Sequence, residues 1–200
     1  MIDYLTRHTG YAIHGASIIS LPEMDRCDLA RMFAESGFQY GVEVGTAEGE
    51  FAEMLCAANP KLHLSCIDPW TNHLLGYNGM KALDLEAAFV TAKRRLAPYD
   101  VNFTRFTSDL AVIEYRNNSL DFVYIDANHE LPWIMDDLCA WYEKVKPGGI
   151  VSGHDYHAMN DHCHVKYAVD CFTGAFHIKP LYVLGDRYHS WFFEKPGQAK

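Results

Sequence analysis

The sequence predicts an α/β fold: a doubly wound, mostly parallel sheet of seven strands, with helices on both faces and an antiparallel final strand. Three observations carry the prediction. Short β-rich runs alternate with segments of helical periodicity, the pattern of parallel strands joined by crossover helices. One run, Tyr40 to Val44, feeds a glycine-bearing turn that opens a helix. Two further runs flank Gly185-Asp186 and close the chain as a hairpin.

Taken in order, Ser20-Leu21-Pro22-Glu23 has the form of a capping box, and Gly37 supplies a C-cap, so a first helix is expected between them. The first strand is Tyr40 to Val44. Phe51, Met54, Leu55 and Ala58 then recur on one face of a helix. The second strand is Leu62 to Ile67. Trp70 to Met80 is a loop, and a helix runs from Lys81 to Leu96. The third strand, Val101 to Phe106, leads to a short helix near Leu110. The fourth is Asp121 to Ile125, followed by a helix from Leu131 to Val145 that Lys146-Pro147-Gly148-Gly149 stops. The fifth is Ile150 to Gly153. A helix at Val165 to Phe172 precedes the last two strands, Leu181 to Leu184 and Tyr188 to Phe193.

A chain of 200 residues, 49% of them hydrophobic, is long and apolar enough for one packed core. One domain over residues 1–200 is expected, with residues 1–20 as an N-terminal lid or mobile segment. A net charge of -9 lacks the basic footprint of phosphate recognition. A small-molecule substrate is therefore expected, and nucleic acid is not. The cysteines Cys27, Cys56, Cys66, Cys139, Cys163 and Cys171 form no C-x-x-C pair and fall mostly in apolar runs. That is the usage of buried, reduced thiols in a cytoplasmic protein. No secretory leader is visible, and no apolar run nears the ~18 residues of a bilayer span, so no membrane partner is expected. A homodimer is compatible with these features.

The central motif is Val42-Glu43-Val44-Gly45-Thr46-Ala47-Glu48-Gly49-Glu50. Ligands of open α/β sheets bind outside the carboxyl ends of the strands, so this turn is the expected floor of a site. A dinucleotide fingerprint would read G-x-G-x-x-G and hold a pyrophosphate at the helix N-terminus. Here Glu43 replaces the first glycine, and Glu48 and Glu50 fall near the first helical turn. Three carboxylates repel a pyrophosphate and suit a cation, such as the sulfonium and ammonium of S-adenosylmethionine. The plain alternative is strand–helix packing alone.

On this Glu-x-Gly-x-x-x-Gly form the chain resembles class I S-adenosylmethionine-dependent methyltransferases, whose fold is Rossmann-like. The resemblance implies cofactor contacts at Glu43, Gly45, Thr46 and Gly49. Asp68, about 20 residues past the turn, stands where an acid accepts both ribose hydroxyls. Thr107-Ser108-Asp109 follows the third strand at the position that contacts adenine in the family, although Ser108 or Asp109 serves equally as a helix cap. Trp70 and Tyr77 either stack on adenine or cover substrate, or fold under as local core. Trp133, Trp141 and Tyr142 read as core.

A second motif, Asp121 to Glu130, delivers Asp126 to the same sheet edge, with His129 three residues on; Gly153-His154-Asp155-Tyr156 follows the fifth strand. From Gly41 to Tyr156 this is similar to metal-dependent small-molecule O-methyltransferases of the macrocin/mycinamicin and cephalosporin-biosynthesis-like group. The resemblance implies a divalent metal on Asp126 and Asp155 and a base at His129. His154 departs from the family pattern, which has Glu or Asp there. Mg²⁺ prefers oxygen and imidazole favours transition metals, so His154 either ligates a different metal, contacts substrate, or marks a site without one. In metal-free relatives a residue at the place of Asp126 lines the donor pocket or caps the next helix. The cluster His154, His157, His162, Cys163, His164 offers a transition-metal site at short spacing, but it lacks a zinc-finger signature, and the favoured reading is substrate- or solvent-facing.

The expected reaction is methyl transfer to a small-molecule hydroxyl. The alternatives are a metal-independent methyltransferase, a catalytically silent adenosyl-ligand-binding protein, and a dinucleotide oxidoreductase, which Glu43 disfavours.

Overall fold

The computed structural model describes residue 5 and residues 17–71, 85–157 and 162–197. Among these, eight strands form one sheet: β1 (Ile18–Leu21), β2 (Tyr40–Val44), β3 (His63–Ile67), β4 (Val101–Thr104), β5 (Leu120–Ile125), β6 (Val145–Gly153), β7 (Leu181–Leu184) and β8 (Trp191–Glu194). Their order is β1-β7-β8-β6-β5-β2-β3-β4. β8 runs antiparallel to both its neighbours, and every other pairing is parallel.

Helices cover both faces. α1 (Arg26–Glu35), α2 (Glu50–Ala58) and α3 (Leu85–Leu96) contribute to one apolar layer; α4 (Ser108–Ala111), α5 (Leu131–Lys144) and α6 (Val165–Ala175) contribute to the other. β5 shows why both form. Phe122 and Tyr124 enter the first layer while Val123 and Ile125 enter the second, so a strand apolar from Phe122 to Ile125 needs cover on each side.

The eighth strand is a correction to the expected seven, and it displaces the expected capping box. Ile18–Leu21 pairs in parallel with Leu181–Leu184, so Ser20 and Leu21 are extended. The cap of α1 is Asp25, which accepts from the N–H groups of Cys27 and Asp28 while Asp28 accepts from Asp25 N–H. A long-range ladder outcompeted a local signal. Similarly, β6 starts at Val145, which pairs with Leu120; Lys146–Gly149 forms an irregularity in the ladder before Ile150 pairs with Phe122. β8 starts later than expected, since Tyr188 and His189 have φ of 71° and 59°, which no strand accepts.

Trp141 is fully buried, but Trp133, expected in the core, is 50% exposed. Cys139 and Cys171 are exposed rather than buried, and all six cysteines are free thiols. Among the described residues no helix is long and apolar enough to cross a membrane. The expected lid over residues 1–20 lies mostly outside the described residues, as do Tyr77 and the loop beyond residue 71.

β2 has β3 on one side and β5 on the other, so successive crossovers depart in opposite directions at its carboxyl end. That switch point opens the crevice that ligands occupy in such sheets. Gly45 sets its width. Its φ is +91°, and a Cβ there would lie 2.0 Å from the Asp126 carbonyl oxygen. Gly148 also has a positive φ, +81°, but open space around it. In urea unfolding, Gly45→Ala is expected to cost at least about 2 kcal/mol more than Gly148→Ala. Equal costs would mean that the turn does not press on β5.

Candidate active site

The turn after β2 is braced from the next strand. Gly45 N–H donates to Ile67 O at 2.8 Å, and Gly49 N–H donates to Thr46 O at 2.8 Å. Asp68, just past β3, accepts from Ala47 N–H at 2.9 Å and from Trp70 N–H at 2.8 Å, one bond on each carboxylate oxygen. Burial raises its pKa, and those two N–H groups oppose the rise. Each oxygen keeps a further lone pair for a ligand hydroxyl.

Glu43 lies beneath the turn, level with Cys66 and Tyr124 on the neighbouring strands. It is 3% exposed. Its Oε2 and the Thr46 hydroxyl are both buried with no hydrogen-bond partner among the described residues. Burial pushes the Glu43 carboxyl up to about 8; the nearby Thr46 hydroxyl opposes the rise, the charges of Asp126 and Asp68 add to it, and Arg26 opposes it. Such orphaned polar atoms are costly unless something else meets them. Glu50, expected to help make the crevice negative, instead extends outward within 3.9 Å of Arg95. The carboxyl groups around the turn are those of Glu43, Asp68 and Asp126.

The strand ends of β5 and β6 bring the second motif together. Asp126 N–H donates to Val44 O at 2.8 Å. His129 Nε2 lies 3.3 Å from Asp126 Oδ1 and 3.4 Å from Asp155 Oδ2. Burial resists its protonation, but the bond to Asp126 and the two carboxylate charges prevail and raise its pKa. His154, 8% exposed, points Nδ1 at Asp155 Oδ2 (3.1 Å) and Asp126 Oδ2 (3.7 Å). Its Nε2 lies 3.1 Å from Arg187 O, a contact that requires a proton on Nε2. Burial resists protonation of His154, but the bond to Asp155 and the charges of Asp126 and Asp155 raise its pKa, so Nδ1 donates to Asp155 and a metal at that nitrogen would have to displace its proton. Burial opposes ionisation of Asp155, yet His154, His129 and His157 hold its carboxyl below the ordinary range. Asp155 also has a φ of +59°, a strained conformation for a residue with a Cβ.

Other expected residues fall elsewhere. Trp70, open between stacking on adenine, covering substrate and local core, is 2% exposed; its ring packs on Phe89 and Phe103, and Nε1 donates to Ala47 O at 2.8 Å. It supports the turn from below. Ser108 donates to the buried Asp137, whose carboxyl burial pushes up to about 7, and accepts from Trp141 Nε1 at 2.8 Å. Its hydroxyl is thus committed to α5, whereas Asp109 is exposed in the first turn of α4. The histidine-rich segment divides. His154, His157 and Cys163 turn inward, while His164 Nδ1 accepts from Leu131 N–H at 3.0 Å and His162 Nδ1 lies 3.4 Å from Glu130 Oε1. Sequence reasoning missed Arg26, which approaches Asp186 at 3.8 Å and feels Tyr124 and Asp126. No local pattern signals it, because α1 reaches the crevice only through the pairing of β1.

These features define a crossover-site α/β protein with an acidic, phosphate-averse crevice. A family profile described as "Methyltransferase domain" matches residues 42–156, and the chain belongs to that family. Solved structures of similar fold include the O-methyltransferase TomG from Streptomyces achromogenes, in complex with SAM (16% identity, TM-score 0.60, 86% of this chain and 78% of that one). An O-methyltransferase from Bacillus cereus in complex with SAH is similar over 95% of this chain and 94% of its own, at 12% identity and TM-score 0.59. Spermidine synthase from Thermotoga maritima is similar over 85% and 58%, at 16% identity and TM-score 0.59. No curated protein sequence matches the chain significantly.

The buried acid has a consequence for stability. Its folded pKa, about 8, exceeds the ordinary 4.5, so the folded chain holds the extra proton between those values and loses stability as pH rises through them. The slope approaches about 1.4 kcal/mol per pH unit. Glu43→Gln is expected to remove that dependence and to be more stable than the parent at pH 8 than at pH 6. Parallel stability–pH curves from urea unfolding would refute the buried position of the charge.

Proposed function

We propose that the chain transfers a methyl group from S-adenosylmethionine to a hydroxyl of a small molecule. The observation that carries this reading is the pair of orphaned buried atoms, Glu43 Oε2 and Thr46 Oγ1, beneath a turn held open by Gly45. A cation above them would restore Glu43 to its charged form and remove the cost of its burial. Asp68 would take the ribose hydroxyls on its spare lone pairs. Asp109, in the first turn of α4 just past β4, would meet the adenine, since the Ser108 hydroxyl is taken.

Asp126, His154 and Asp155 fit a divalent metal. Their ligand atoms lie within 4.8 Å of one another, and the Arg187 carbonyl orients His154 in the way that outer partners orient metal-binding imidazoles. One nitrogen beside two carboxylates suits a Mn²⁺-like ion better than Mg²⁺. A bound metal would lower the pKa of the acceptor hydroxyl. In the transfer, an oxygen lone pair forms the bond to the methyl carbon, the carbon–sulfur pair returns to sulfur, and the hydroxyl proton passes to His129. His129 must start neutral to do this; Asp126 and Asp155 then stabilise the imidazolium. A metal-free version has its own support: His129 already bridges both carboxylates.

Calorimetry with S-adenosylhomocysteine, with and without Mn²⁺, and with NAD as the comparison, tests the reading. S-adenosylhomocysteine should bind and NAD should not; NAD binding alone would contradict it. In turnover assays over a panel of hydroxylated acceptors, a chelator should abolish the metal-assisted reaction and leave a metal-free one intact. His129→Ala should lower kcat by about 10²–10⁴-fold with donor affinity unchanged. Full turnover in that variant would remove His129 as the base.

A further inference from the structure

We propose that His129, Asp155 and Cys163 form a second metal position, which takes a thiophilic ion of the zinc class and switches the proposed transfer off. The three side chains come from the turn after β5, the end of β6 and the segment entering α6. Their ligand atoms lie within 4.8 Å of one another. Ligands on a tetrahedral zinc-class ion stand about 3.3–3.8 Å apart, given bonds of about 2.0–2.3 Å, so small side-chain rotations close the set.

Cys163 is 5% exposed, with Sγ 3.6 Å from Asp155 O and 4.0 Å from His157 Nε2. A nucleophilic cysteine is the competing reading, and the geometry argues against it. His157 turns the same nitrogen, Nε2, to Cys163 and to Asp155 Oδ1 at 3.0 Å. A cysteine–histidine–aspartate relay needs one nitrogen for each partner. His157 Nδ1 is instead buried with no partner among the described residues. Sulfur and imidazole donors beside one carboxylate select zinc-class ions over magnesium. On binding, the Cys163 S–H bond breaks, its electron pair goes to the ion and the proton leaves to solvent.

Asp155 belongs to both sets, and His129 is the proposed base. An ion in the second position removes a carboxylate from the first and occupies the lone pair that would accept the hydroxyl proton. The inhibitory effect rests on the methyl-transfer reading; the site itself does not.

The test is titration of the full chain with Co²⁺, followed by absorption spectroscopy, with S-adenosylhomocysteine calorimetry in parallel. A sulfur-to-cobalt charge-transfer band should appear. It should vanish in Cys163→Ser and Cys163→Ala, persist in Asp126→Asn, and be bleached by zinc but not by magnesium. No cobalt binding, cobalt absorption without that band, or a band that survives both cysteine variants would overturn the second position. Any of these with intact S-adenosylhomocysteine binding leaves the methyl-transfer reading standing.

Discussion

The structure depends on one close approach, that of Gly45 to the Asp126 carbonyl at the point where the chain reverses its winding. It draws the ends of β2 and β5 together, and β3 and β6 follow through their ladders. Each of these strand ends carries an acid: Glu43, Asp68, Asp126 and Asp155. Buried carboxylates repel one another and cost solvation, so the fold tolerates them only where counter-charges arrive. Histidines supply that balance around Asp155, and backbone N–H groups supply it around Asp68. Beneath the turn, Glu43 Oε2 lacks a hydrogen-bond partner among the described residues, and the Thr46 hydroxyl and the charge of Arg26 offset its burial only in part.

The same fold serves different group transfers. The similar structures include both O-methyltransferases and a spermidine synthase, so sheet topology alone does not choose the acceptor. The chemistry of this chain's crevice lies in the second motif. It places two carboxylates and an anchored imidazole beside a histidine that touches both acids.

Much of this was legible in the sequence because its causes are local. β2 and β7 fall at the expected residues, since each is a short β-rich run flanked by turn-formers. Glu43, Gly45, Asp68, Asp126 and Asp155 could be placed at strand ends because a parallel sheet presents those ends together. What was not legible depended on partners far along the chain. β1 exists because Leu181–Leu184 offers it a ladder. Trp70 is buried because Phe89 and Phe103 meet it, and Ser108 turns inward because Asp137 lies across from it. Glu50 faces away because Arg95 waits outside. No spacing rule carries such information, nor does any reveal that Cys163 returns to Asp155.

The most direct test of the account is the proton balance of donor binding. Calorimetry of S-adenosylmethionine at pH 7, in buffers of different ionisation enthalpy, counts the protons exchanged. With the Glu43 carboxyl pushed up to about 8 in the free chain, a cation bound above it should expel about one proton, and Glu43→Gln should abolish that release. Binding without proton release would contradict the claim that a buried, incompletely balanced acid recognises the donor's positive charge.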